Sequence, residues 1–229
     1  MSQIQSITTR QSILDAAVSE FWAHGYKGAS VRDICEQAGA SSNAITYHFG
    51  SKEKLYQEIL DRFAAVLIEQ AQTALSGELR SQEEFEIRLE MFLAQLLETY
   101  LENRETVLIA LREFEQLLPG SDDSAIRELV EINHSLSRFV QKAKDQGFVS
   151  EDIDTGIVAG TLLDRLINQV RFSHTHERFF SVTSLDPEYR AYWVRASLGL
   201  VLEGMKPRAE PAQRKSKGED HAHRTHNRN

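Results

Sequence analysis

Cysteine occurs once in the 229 residues, as Cys35, so neither an intrachain disulfide nor a zinc site built on thiolates is available. Proline occurs four times, which leaves long stretches without the residue that most reliably breaks a helix. No apolar run approaches the roughly 18 residues that a membrane-spanning helix needs. The opening MSQIQSITTRQSILDAA has neither a basic leader nor an apolar export core. The expectation is a chain that crosses no membrane and stays in the cytoplasm. A glycine-rich phosphate loop is missing, as is any nucleophile with a matching base, so catalysis is not expected. Nor is there a surplus of basic residues, since the formal net charge is −8.

That sum hides an uneven distribution. From Lys206 onward the balance is +4, and the preceding residues carry −12. Residues 1–56 are neutral, with Arg10, Lys27, Arg32, Lys52 and Lys54 set against five acids. The tail 206–229 has no large apolar residue and three histidines (His221, His223 and His226), and is expected to be disordered. Its role is expected to be solubilising.

What is abundant is helical periodicity. From Gln11 to Ala23 the residues Ile13, Leu14, Ala17, Val18, Phe21 and Trp22 form one stripe, ended by His24-Gly25-Tyr26. Ser30 is an expected N-cap for a short helix reaching about Ala38, and Gly39 allows a tight turn. Ser41 or Ser42 is expected to cap a third helix, Asn43 to Phe49. A fourth opens at Lys52 and carries Leu55, Ile59, Leu60, Phe63, Val66 and Leu67 on one face. Two capped short helices across a glycine turn make a helix-turn-helix.

The third helix bears the informative chemistry. Ile45 and Phe49, four apart, anchor one face and leave Ser42, Asn43, Ala44, Thr46, Tyr47 and His48 largely outside. Hydroxyls and amides can bond base edges, an alanine methyl can meet a thymine methyl, and Tyr, His and Lys can reach phosphates. The alternative is an ordinary interhelical core with a polar outer face; the pattern alone does not separate the two.

The block ASVRDICEQAGASSNAITYHFGSKEKLY, with the preceding ILDAAVSEFWAHGYKGAS, resembles the DNA-binding domain of the TetR/AcrR family of bacterial repressors over Ile7 to about Phe63. The resemblance implies an all-α protein. It would consist of a three-helix DNA-binding domain over residues 7–67, a helical ligand-binding and dimerisation domain over residues 68–205, and the tail 206–229. It further implies base reading by Arg32, Ser42, Asn43 and Ala44, phosphate contacts by Ser30, Thr46, Tyr47, His48 and Lys52, and a DNA contact by Ser41. Thr46, Ala40 and Cys35 depart from the residues usual there. The implied partners are double-stranded operator DNA, a second copy of the chain and a small apolar or amphipathic effector, with no cofactor. The implied function is a ligand-responsive repressor that binds a palindromic operator as a homodimer.

Downstream, helices are expected near Glu83–Asn103, Glu105–Leu118, Ser124–Gln146, Asp152–Phe172 and Pro187–Met205, with breaks at Pro119-Gly120 and Gly147 and a loop over 173–186. Gly160, Leu163 and Ile167, with Trp193 and Leu200, are the expected dimer contacts. The expected pocket draws on Phe92, Leu96, Leu108, Phe139 and Phe172, within a wider apolar set of Phe85, Leu89, Leu111, Phe114 and Leu136. Arg112, His134, Asn168 and Gln169 are its polar candidates. Two metal readings are weaker. Glu131-x-x-His134 has the spacing of a di-iron bundle but occurs once, and His174-x-His176-Glu177 lacks a third ligand, so no metal is expected. The competing functional class is a helical interaction module whose helix-turn-helix no longer reads DNA.

Overall fold

The computed structural model describes residues 3–116 and 124–206, apart from 182 and 185. The expected break at Pro119-Gly120 and the tail beyond Lys206 lie outside these residues. Ten helices and no strand occur among the described residues. The first four are α1 (Gln3–Gly28), α2 (Val31–Gln37), α3 (Ala44–Phe49) and α4 (Lys52–Leu75). They are followed by α5 (Gln82–Glu102), α6 (Arg104–Gln116), α7 (Ser124–Asp145), α8 (Thr155–Arg171), α9 (Ser173–Phe180) and α10 (Pro187–Met205).

Local chemistry sets the ends of the short helices. Gly25, at φ 70° and ψ 170°, interrupts α1 in its last turn. The Ser30 hydroxyl accepts hydrogen bonds from the Arg32 and Asp33 amides and so caps α2. At the other end Gly39 takes φ 61°, which lets the Ala40 amide reach the Cys35 carbonyl at 2.8 Å and the Gly39 amide reach Glu36 at 3.1 Å. Neither Ser41 nor Ser42 caps α3. Asn43 occupies the cap without a side-chain bond, and the Ala44 amide instead bonds the Ser41 carbonyl at 2.9 Å. Ser51 caps α4 through the Lys54 amide, and Ser81, Asp154 and Asp186 cap α5, α8 and α10 in the same way.

Two cores share one helix. In the head, Ile13, Ala17 and Phe21 of α1 meet Ile34 and Cys35 of α2, Ile45 and Phe49 of α3, and Leu55, Ile59 and Leu60 of α4. In the body, Phe63, Leu67, Ala71 and Leu75 of α4 meet Phe85, Leu89, Phe92 and Leu96 of α5, Leu136, Phe139 and Val140 of α7, Leu162, Leu166 and Val170 of α8, and Val194 and Leu198 of α10. The expected division after residue 67 therefore falls inside a continuous helix, and the core changes between Leu60 and Phe63. At about 1.5 Å per residue, α4 extends roughly 36 Å as a single rod between the two.

Two elements depart from the sequence reading. The stretch expected as a loop contains α9, whose residues are all at least partly exposed; its polar and aromatic mix offers no clean apolar period to read. Val66, expected inward on α4, is 45% exposed because the body core approaches only the Phe63–Leu67–Ala71 side.

Candidate nucleic-acid interface and cavity

On the head, the outer surface of α2, the turn and α3 presents Arg32, Ser41, Ser42, Asn43, Thr46 and Tyr47 to solvent. Tyr47 is 82% exposed and meets the half-buried His48 ring edge-on at 4.8 Å. A large aromatic left in water on a two-turn helix has no packing role. Ser30 uses its oxygen as a cap acceptor, which leaves its hydroxyl hydrogen free to donate.

Two expected contact residues are corrected. Ala44 is buried at 7% exposure within the head core beside Ile45, because the first position of so short a helix is enclosed by α2 and α4. Lys52 points inward: its ammonium donates to the carbonyls of Tyr26 at 2.7 Å and Ala29 at 3.0 Å and lies 4.7 Å from the centre of the Tyr26 ring. α1 ends at Gly28, so the Tyr26 and Ala29 carbonyls lie in its last turn and just beyond it, and the cation satisfies them. Lys54, two residues on, is exposed and has no ion pair among the described residues, as is also true of Lys27 and Arg32. The sequence signal for Lys54 was the lysine pair itself, since residues two apart face different directions on a helix. Arg10 is engaged with Glu58 at 2.6 Å and covers the Phe49 ring.

The body holds a partly open cavity of about 450 Å³ lined by α4 through α8. Phe63 and Tyr100 form one side, Val107, Ala110, Leu111, Phe114 and Glu115 of α6 a second, Val130, Ile132 and Asn133 of α7 a third, and Gly160, Leu163, Asp164 and Ile167 of α8 the last. This size is ordinary for a small-molecule site. Burial pushes the Tyr100 phenol far above its usual range, so at neutral pH it stays an uncharged donor.

None of the eight residues expected for the pocket lines this cavity. Phe92, Leu96 and Phe139 are at most 1% exposed and belong to the solid core, where Phe139 packs against Phe85 at 5.4 Å between ring centres. Asn168 is exposed, and Phe172 is a 48% exposed C-cap of α8. His134 lies on the outside with Glu131 at 3.6 Å, and the Arg138 guanidinium bonded to Glu131 holds that carboxyl below its usual range. That is a solvated charge cluster, and no group of three or more metal-ligating side chains exists among the described residues. Gln169, from the wider set of polar candidates, is buried and donates to Ser184 at 2.7 Å.

Leu108 and Arg112 line a separate cleft of about 210 Å³ with Trp22, Arg104 and Arg171. There Arg112 donates to the Trp22 carbonyl at 3.4 Å and lies over its indole at 5.2 Å. Leu111 and Phe114 of the wider apolar set do line the main cavity. So do Gly160, Leu163 and Ile167, which had been expected at a dimer face; Leu163 is 7% exposed in a single chain and leaves little to bury on a partner. Sequence missed Phe63, Tyr100, Val107, Ala110, Asn133 and Asp164, because lining and core positions share one helical stripe. Of the remaining expected dimer residues, Trp193 is half-buried beneath Arg165, and Leu200 is 73% exposed.

α6 touches both halves. Ile109 and Ala110 enter the head core, and Glu113 accepts a hydrogen bond from Tyr56 at 2.6 Å, while Val107, Leu111 and Phe114 face the cavity. A shift of this helix is felt on both sides.

Residues 13–59 match the model of the bacterial regulatory proteins of the tetR family. The HTH-type transcriptional repressor NicS of Pseudomonas putida is 28% identical over 206 residues, which cover 88% of this chain and 94% of that protein. The HTH-type transcriptional repressor AcnR of Corynebacterium efficiens is 44% identical over 63 residues, 28% of this chain and about a third (34%) of that one. Among solved structures, the TetR family transcriptional regulator PfmR of Thermus thermophilus superposes with a TM-score of 0.66 at 24% identity, covering 86% of this chain and 96% of that one. The ketosteroid transcriptional regulator KstR2 of Mycobacterium tuberculosis gives a TM-score of 0.68 at 21% identity over 86% of this chain and 94% of that one.

Proposed function

The chain belongs to the TetR family of bacterial DNA-binding transcriptional regulators, which are not enzymes, and from that premise we propose that it is an effector-responsive repressor acting as a cytoplasmic homodimer on a palindromic operator. Arg32, Ser41, Ser42, Asn43 and Thr46 read base edges, and Ser30, Tyr47, His48 and Lys54 hold phosphates. Residues 7 to about 60 act as the reading head and the rest of the helical chain as the sensing and dimerising body. The exposed faces of α8 and α10, with Ile157, Tyr192 and Leu200, meet their copies across a two-fold axis.

The observation that carries the effector reading is the position of α6 between the cavity and the head core. An effector that fits the cavity in only one setting of α6 biases the head through Ile109, Ala110 and the Tyr56–Glu113 bond. Only differential affinity for the two settings does this, and about 1–3 kcal/mol of coupling suffices for a transcriptional response. A two-fold dimer places its recognition helices about 34–36 Å apart, one turn of B-DNA.

Selection of bound duplexes from a random pool at near-physiological salt tests the proposal, because charge attraction alone is then weak. A palindrome is expected, with a half-site spacing that reports the head separation. A pool that stays random would remove the sequence-specific reading.

A further inference from the structure

Taking the cavity as the effector site, we infer that its effector is an amphipathic cation: an apolar body carrying an ammonium or protonated amine. The walls given by Phe63, Leu111, Phe114 and Leu163 are apolar, and the charged lining residues, Glu115 and Asp164, are both acids. No lysine, arginine or histidine lines the cavity among the described residues. Glu115 is balanced from outside by Arg171 at 2.9 Å. Asp164 has no ion pair or hydrogen bond among the described residues, and the adjacent Arg165 is turned away to Ser197 at 2.9 Å and the Trp193 ring.

The Asp164 carboxylate, exposed at the rim of an apolar space, repels an anion and attracts a cation there. The rings of Phe63, Tyr100 and Phe114 add faces that favour cations over anions. The Asn133 amide and the Tyr100 hydroxyl make no side-chain hydrogen bond among the described residues, so each is available to orient polar atoms of the ligand. The ligand enters with its chain toward Phe63 and its charge at Asp164.

The test is calorimetric titration of the full chain, without DNA, with decylammonium and with decanoate below their micellar concentrations. The two share a chain length and differ in charge sign. The cation is expected to bind at least about tenfold tighter, as one favourable charge contact implies. Asp164→Asn should abolish that preference while leaving the fold intact, because the residue is exposed. Gly160→Leu is the control for general attraction to an acidic protein. A Cβ there would sit 3.8 Å from Asn133 Nδ2, so the added side chain has room only by filling the cavity, and binding of both ions should fall. Equal affinity for the two ions overturns the cationic class and leaves the cavity as an effector site. A cation preference that survives Gly160→Leu overturns it too, since the contact is then outside. Binding of neither ion also refutes the class. The effector reading itself falls separately, if filling the cavity leaves the release of operator by cell-derived small molecules unchanged.

Discussion

The phenolic hydroxyl of Tyr56, on the head portion of α4, donates a 2.6 Å hydrogen bond to the Glu113 carboxylate on α6, the helix whose opposite face lines the cavity. It is a polar link between the two cores beside the apolar contact of Ile109 and Ala110. Tyr56→Phe removes the donor and keeps the ring, which meets Phe21 edge-on at 4.9 Å. The expected cost in urea unfolding is about 0.5–1.5 kcal/mol. Hydrogen exchange should quicken in α1–α3 more than in α7 and α8; a uniform change across both regions would argue against a local link.

Lys52 and Asn43 should separate stability from recognition. Lys52→Ala strips the cation from the Tyr26 and Ala29 carbonyls and is expected to destabilise the fold by about 1–3 kcal/mol. Asn43→Ala, at an exposed cap without a side-chain bond, should change stability by less than about 0.5 kcal/mol. The same substitution should relax preference at one base pair by about 1–3 kcal/mol. Denaturant curves and operator titrations on both variants check this. If Lys52→Ala kept full stability and reduced the salt dependence of binding, Lys52 would be a phosphate contact after all.

Core and cavity wall are distinguishable by the same logic. Phe92 is fully buried, and Phe92→Ala should cost about 3–5 kcal/mol. Phe114 is 40% exposed at the cavity mouth, so Phe114→Ala should cost far less and instead alter the affinity of whatever occupies the cavity. Thermal unfolding with ligand titration reads both; equal destabilisation would mean that the cavity closes in solution.

The dimer face can be tested at Leu200. The residue is 73% exposed in one chain, so Leu200→Glu leaves the fold intact and places a charge where its own copy would meet it. Sedimentation at micromolar concentration should show a monomer with unchanged helical circular dichroism and weakened operator binding. A persistent dimer would locate the interface elsewhere.

The head was legible because its signals are local. Ser30, Gly39 and Phe49 set a cap, a turn and an anchor through neighbours within a few residues and appear where spacing puts them, whereas the cap expected at Ser41 or Ser42 does not form. The direction of Lys52 was not legible, because its partners Tyr26 and Ala29 lie more than twenty residues earlier, at the C-terminal end of α1. In the body, periodicity identified which residues turn inward but not what they turn toward. Phe92 and Leu111 have the same apolar character on amphipathic helices, and one meets solid core while the other meets empty space.

The sequence by itself determined the helical class, the Ser30 cap and Gly39 turn of the head, and the polar outer face of α3, because these follow from the 3.6-residue period and from contacts within a turn or two. Only the tertiary structure decided that α6 belongs to both cores, that Gly160, Leu163 and Ile167 line a cavity, and that Asp164 stands there without a cationic partner among the described residues. Those are properties of how five helices meet, and the packing of distant segments is encoded in no single stretch of chain.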